Sequence, residues 1–131
     1  MTKELLQLHQ NAKLCATRFR TSETELFDIL LLVEAQKGYL PLGFNSLFQY
    51  CVEYLQLSPN QSYAFMSIAK KSREVPELKE AVKNQEISFS NARKLVSVIT
   101  PENKDSWLEQ GKCLSQKALE REIVKASPLP A

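Results

Sequence analysis

The chain has 131 residues, 44% apolar and 24% charged, with 17 basic side chains against 15 acidic ones. These fractions lie near the globular average, which excludes a disordered, collagenous or disulfide-scaffold chain, and the length suits a single domain with its own core. The longest uninterrupted apolar run, Ile29 to Val33, falls far short of the roughly 20 residues of a membrane helix, and no basic-then-apolar leader opens the chain, so the expectation is a soluble cytoplasmic protein.

The pattern is helical throughout, with no period-two stretch long enough to compete as a strand. A first helix is predicted from about Lys3 to Arg18, with Leu5, Leu8 and Leu14 among its apolar positions. Ser22 and Glu25 have the spacing of a capping box, which predicts a fresh start there. The second helix then carries Leu26, Ile29, Leu30 and Val33 at helical spacing and stops at Lys37-Gly38, before a loop from Tyr39 to Phe44. Its apolar positions occupy more than one face, so it is also the expected dimer contact.

Asn45-Ser46 caps a short helix bearing Leu47, Phe48, Cys51, Val52 and Leu55, flanked by Tyr50 and Tyr54. After the tight link Gln56-Leu57, Ser58 is a strong N-cap, Pro59 fits the first helical position, and Gln61 completes a second capping box. That helix runs to about Lys71. Pro76 leads a helix that ends near Asn84, and Ser88 caps another with Ala92, Leu95, Val96 and Ile99 in register. Thr100-Pro101 is expected to start a helix carrying Trp107, a core anchor, with Gly111 closing it. Ser115 caps the last helix, with Leu119 and Ile123 on one face, and residues 127–131 read as a tail or linker. The expected fold is all-α: one domain over residues 1–126, six to seven short helices, and a central helix-turn-helix at about 46–71.

Chemistry is constrained by what is scarce. His9 is the only histidine, and Cys15, Cys51 and Cys113 lie far apart with no C-x-x-C spacing. A metal site needs three or four ligands, and a histidine-based hydrolase needs supporting partners beside its histidine. No glycine-rich phosphate loop or nucleophile elbow is present. No enzyme activity, metal or cofactor is expected of this chain.

The two short helices around the Gln56-Leu57 link have the spacing of a helix-turn-helix, in which the second helix enters the DNA major groove. On a helical wheel Ser62, Phe65, Met66 and Ala69 point inward, while Asn60, Tyr63, Ala64, Ser67 and Lys71 point outward with Lys70 at the edge. The window from Tyr54 to Arg73 holds no acid and three bases, Lys70, Lys71 and Arg73. Asn60, Gln61, Tyr63 and Ser67 are therefore the candidate base or sugar contacts, and Lys70, Lys71 and Arg73 the candidate phosphate contacts. Arg93 and Lys94 are read as a solvated face. Lys112, Lys117, Arg121 and Lys125 are interleaved with acids and read as surface pairing partners.

The run Leu42-Gly43-Phe44-Asn45-Ser46-Leu47-Phe48-Gln49-Tyr50-Cys51-Val52, followed by Leu57-Ser58, resembles the N-terminal helical domain of bacterial HNH-endonuclease-like proteins. The similarity continues in order through Val75-Pro76-Glu77-Leu78, Ile87-Ser88-Phe89-Ser90, Thr100-Pro101-Glu102-Asn103 and Leu114-Ser115, and so spans about residues 21–126. More distantly, Gln49 to Leu78, Asn91-Ala92-Arg93 and Glu120 are similar to the helix-turn-helix region of ParB-type partition proteins. Both resemblances imply that the helix opened by Ser58 faces double-stranded DNA. They also imply a bacterial protein that acts as a homodimer at the nucleoid.

Two departures from the resemblance are visible. The HNH nuclease motif is absent, which predicts a non-catalytic chain. Relatives commonly carry arginine at the positions of Ala64, Phe65 and Ser67, and each missing phosphate contact lowers the electrostatic contribution to affinity. Two alternatives to a DNA-binding protein remain: an interaction or assembly module that kept the fold, and a DNA-targeting domain whose nuclease lies on further sequence. A reading frame continuing past Ala131 into an H-N-H pattern distinguishes the last.

Overall fold

The computed structural model describes residues 1–126; the expected tail at 127–131 lies outside the described residues. The fold is all-α, with no strand among the described residues. Helix α1 spans Lys3–Gln36. A single 3-10 turn at Leu40–Leu42 follows, and then α2, Leu47–Gln49, which widens directly into a π turn over Tyr50–Tyr54. Helices α3 (Pro59–Glu74), α4 (Pro76–Lys83), α5 (Phe89–Leu95), α6 (Lys104–Cys113) and α7 (Gln116–Ala126) complete the chain.

The first departure from expectation is that two predicted helices are one, a continuous α1 of 34 residues. Ser22 does not cap anything. No proline or glycine interrupts residues 18–26, so the backbone has no reason to leave the helix. The Thr17, Thr21 and Thr24 hydroxyls each donate to the carbonyl four residues back, at 3.0 Å. Hydroxyls satisfied in this way do not compete with the helical ladder.

The predicted stop at Lys37-Gly38 is present. Lys37 is left-handed (φ 50°), and the Gly38 amide donates to the Val33 carbonyl at 2.9 Å. Gln85, at φ 59°, closes α4 in the same way, with Glu86 N–H donating to Ala81 O, and Gln56, also at φ 59°, closes the wider π turn with a bond one residue longer, Leu57 N–H to Cys51 O. These are Schellman-type stops made without glycine. The caps at Ser46, Ser58, Ser88 and Ser115 also hold: each hydroxyl accepts from the amide three residues on, at 3.0–3.2 Å.

Other boundaries differ too: α3 runs on to Glu74 rather than ending near Lys71, and α5 stops at Leu95, so that Val96 and Ile99 lie beyond it. Helix α6 begins at Lys104 rather than at Thr100-Pro101, because Thr100 and Asn103 bond each other's amides and hold a turn there. Gly111 lies inside α6 and is buried. A Cβ on it would come within 2.8 Å of Leu95 Cδ1 and 3.2 Å of Ile87 Cδ1. Its role is close approach of α6 to α5, not termination. Asn91 reinforces the same contact, its amide nitrogen donating to Gly111 O at 3.1 Å and Leu114 O at 3.0 Å.

The core centres on Phe27 of α1, Phe65 of α3 and Phe89 of α5. Their ring centroids lie 5.1–6.2 Å apart, two of the three pairs edge to face, the geometry that aromatic quadrupoles favour. Ile68, Leu78, Val82, Leu95, Ile99, Trp107 and Leu119 bury around them.

Two substitutions should act with opposite sign in denaturant melts. Gly111→Val forces a branched side chain into the α5–α6 contact and costs about 1–3 kcal/mol. Ser62 Oγ is buried without a hydrogen-bond partner, so Ser62→Ala is expected to stabilise by roughly 1 kcal/mol.

Candidate nucleic-acid interface

Helix α3 follows α2 and its π turn across the short link Leu55–Ser58, where Gln56 is left-handed. The link tightens by two bonds, Leu55 N–H to Tyr50 O at 3.1 Å and Leu57 N–H to Cys51 O at 3.0 Å. The inward face is as the wheel predicts, with Ser62, Phe65 and Ala69 buried, Met66 half-buried and Ile68 added to the set. Phe65 is 2% exposed at the centre of the aromatic cluster.

The opposite face of α3 carries Asn60, Tyr63, Ser67 and Lys70 along one row, Asn60, Tyr63 and Lys70 exposed and Ser67 half-buried. Gln61 is half-buried beside them. The Ser67 hydroxyl donates to the Tyr63 carbonyl at 2.8 Å, which leaves its lone pairs as the side available to a ligand.

The three predicted phosphate contacts separate. Lys70 is exposed and forms no ion pair among the described residues. Lys71 is half-buried and pairs with Glu74 at 2.7 Å. Arg73 reaches across to α1, where its guanidinium donates to Glu34 Oε1 at 2.9 Å. Glu34 is a buried carboxylate, so Arg73 compensates a desolvated charge and ties α3 to α1.

A cation assigned to solvent by sequence takes the vacated position. Arg93 of α5 lies over the Tyr63 ring, its guanidinium carbon 5.1 Å from the ring centroid, a cation–π arrangement. Arg93 is exposed, while its neighbour Lys94 is held by Glu120 at 3.1 Å. The signal lay in Phe89, four residues earlier on α5: its packing on Phe65 sets α5 against α3.

A shallow groove runs between the two helices, with Ser58, Asn60, Gln61 and Ala64 on one wall and Phe89, Ser90, Arg93 and Lys94 on the other. Glu23 closes its edge, and burial raises the pKa of its carboxyl. Cys51 is buried beneath α2, and burial pushes its thiol up to about 11, which makes it a packing residue rather than a nucleophile. No group of three or more His, Cys, Asp or Glu side chains among the described residues is placed to hold a metal ion.

Compared with protein-family models, with characterised proteins and with solved structures, the chain matches none of them.

The difference between Arg73 and Lys70 is measurable by chemical denaturation. Arg73→Ala strands the Glu34 carboxylate and should cost about 1–3 kcal/mol, whereas Lys70→Ala should change stability by less than about 0.5 kcal/mol.

Proposed function

We propose that this chain is a non-catalytic, double-stranded-DNA-binding protein of helix-turn-helix type, with α2 as the bracing helix and α3 as the reading helix. The observation that carries the reading is the unobstructed outward row of α3, in which Asn60, Tyr63, Ser67 and Lys70 stand beside Arg93 of α5. An amide, a phenol and a hydroxyl can reach base edges in a major groove, and two cations without acidic partners can meet the backbone on either side. Lys71 and Arg73 are occupied within the chain, so their contribution to DNA contact is secondary.

Two free cations give a modest electrostatic contribution. Affinity is accordingly expected to be weak and strongly dependent on ionic strength. The salt-dependent contact belongs to Lys70 and to Arg93, which lies over the Tyr63 ring.

Fluorescence anisotropy on pooled duplex DNA over a salt series tests this. Wild type should bind with log K falling linearly against log salt. A Lys70→Ala/Arg93→Ala double variant should bind more weakly and lose about two units of slope, at roughly 0.9 per lost phosphate contact. A control Lys117→Ala/Arg121→Ala variant on α7 should leave the slope unchanged. Absence of salt-dependent binding by wild type, or equal binding by the double variant, overturns the reading.

A further inference from the structure

Every side chain from Met1 to Ser22 is exposed, so the N-terminal half of α1 stands clear of the body as an arm roughly 30 Å long. A helix with no tertiary contact is marginal in water, because packing of an apolar face supplies most helical stability. The arm has such a face. Leu5, Leu8, Ala12, Cys15 and Phe19 recur at alternating intervals of three and four residues, and Leu8 and Phe19 are each 63% exposed. The same spacing runs on through Ser22, Leu26, Ile29 and Val33, with Ile29 56% exposed. This row lies about a quarter-turn from the Phe27–Leu30–Glu34 face that packs on the body. The spacing is that of a coiled-coil seam, without a partner within the chain from Leu5 to Ser22 and at Ile29, while Leu26 and Val33 keep one side on the core and the other outward.

Charge identifies the partner. From Lys3 to Arg20 the helix carries four bases (Lys3, Lys13, Arg18 and Arg20) and one acid, Glu4; from Thr21 to Gln36 it carries four acids and no base. A second α1 laid parallel would set bases beside bases and acids beside acids. Laid antiparallel, each basic arm meets an acidic half.

We propose that two copies of this chain pair through antiparallel α1 helices, each basic arm lying along the acidic C-terminal half of the other. Side-chain volumes fix the register. Setting Phe19 opposite Ser22 also sets Cys15 opposite Leu26 and Ala12 opposite Ile29, so each of these layers joins a large side chain to a small one, as close packing requires. The same register brings Arg18 alongside Glu25 of the other copy, on the same flank of the seam, and neither forms an ion pair within its own chain among the described residues. A parallel pair would instead stack Phe19 on Phe19 and leave gaps at Ala12 and Ser22. The pairing stands on α1 alone and does not require that α3 meets DNA.

Sedimentation velocity on the full chain reads the association directly. The expected result is a dimer at micromolar concentration, with Leu8→Glu/Phe19→Glu monomeric and unchanged in melting of the body, which these residues do not touch. Arg18→Glu should weaken the dimer at least tenfold, and adding Glu25→Arg should restore it. Orientation is read by a short bismaleimide on a Cys113→Ser background. Leu26→Cys should give covalent dimers through Cys15, whereas the background alone should not. A monomer at every concentration overturns the pairing. Efficient Cys15-to-Cys15 cross-linking, or no rescue by the charge reversal, overturns the antiparallel arrangement.

Discussion

The contact on which the arrangement depends is the meeting of Phe27, Phe65 and Phe89. These rings come from α1, α3 and α5, elements separated by long stretches of chain, and they lie within 6.2 Å of one another, centre to centre. Phe27 and Phe65 are almost wholly buried. Because each ring fixes the rotation of its helix, the cluster decides which face every one of the three turns outward. With Phe65 inward, Tyr63 and Lys70 must face out; with Phe89 packed against it, Arg93, one helical turn on, comes to lie over Tyr63. With Phe27 inward, the Leu26–Ile29–Val33 row is turned to the side and continues the seam of the free arm.

A second layer of constraint is polar. Glu34 is buried against α3 and needs a cation, which Arg73 provides from the end of that helix. Lys104 and Glu77 tie α6 to α4 in the same manner at the surface, and Lys94 and Glu120 tie α5 to α7. Around α3 the cations Lys71, Arg73 and Lys94 are thus held within the chain. The DNA-binding reading rests on the two beside them that are not, Lys70 and Arg93, which is why salt dependence rather than affinity is its proper test.

The parts of this structure that were legible in the sequence are those governed by local rules. Ser46, Ser58, Ser88 and Ser115 are each followed by a helix because a hydroxyl there satisfies an amide three residues on. Lys37-Gly38 ends a helix, and the inward set of α3 follows from a 3.6-residue period. Ser22 misled because a capping-box spacing has meaning only where the backbone leaves the helix, and nothing between Arg18 and Leu26 makes it do so. Gly111 misled because its reason is Leu95, sixteen residues away, against which only a glycine fits. The candidate site was half-legible for the same cause. Asn60 and Tyr63 face outward as periodicity sets them, but an ideal wheel turns Lys71 outward and leaves Lys70 at the edge, where the structure has Lys70 exposed and Lys71 half-buried; which cations are free depends further on Glu34 and Glu120, and no local pattern brings those two to Arg73 and Lys94.

A double-mutant cycle between Phe27 and Phe89, with Leu at each position singly and together, tests the organising role of the cluster most directly. Stability is read by denaturant unfolding at fixed protein concentration. The two losses should be non-additive by about 0.5–1.5 kcal/mol, the worth of an edge-to-face pair beyond its buried area. Losses that add to within roughly 0.3 kcal/mol would mean that α1 and α5 are held independently, and would contradict the account.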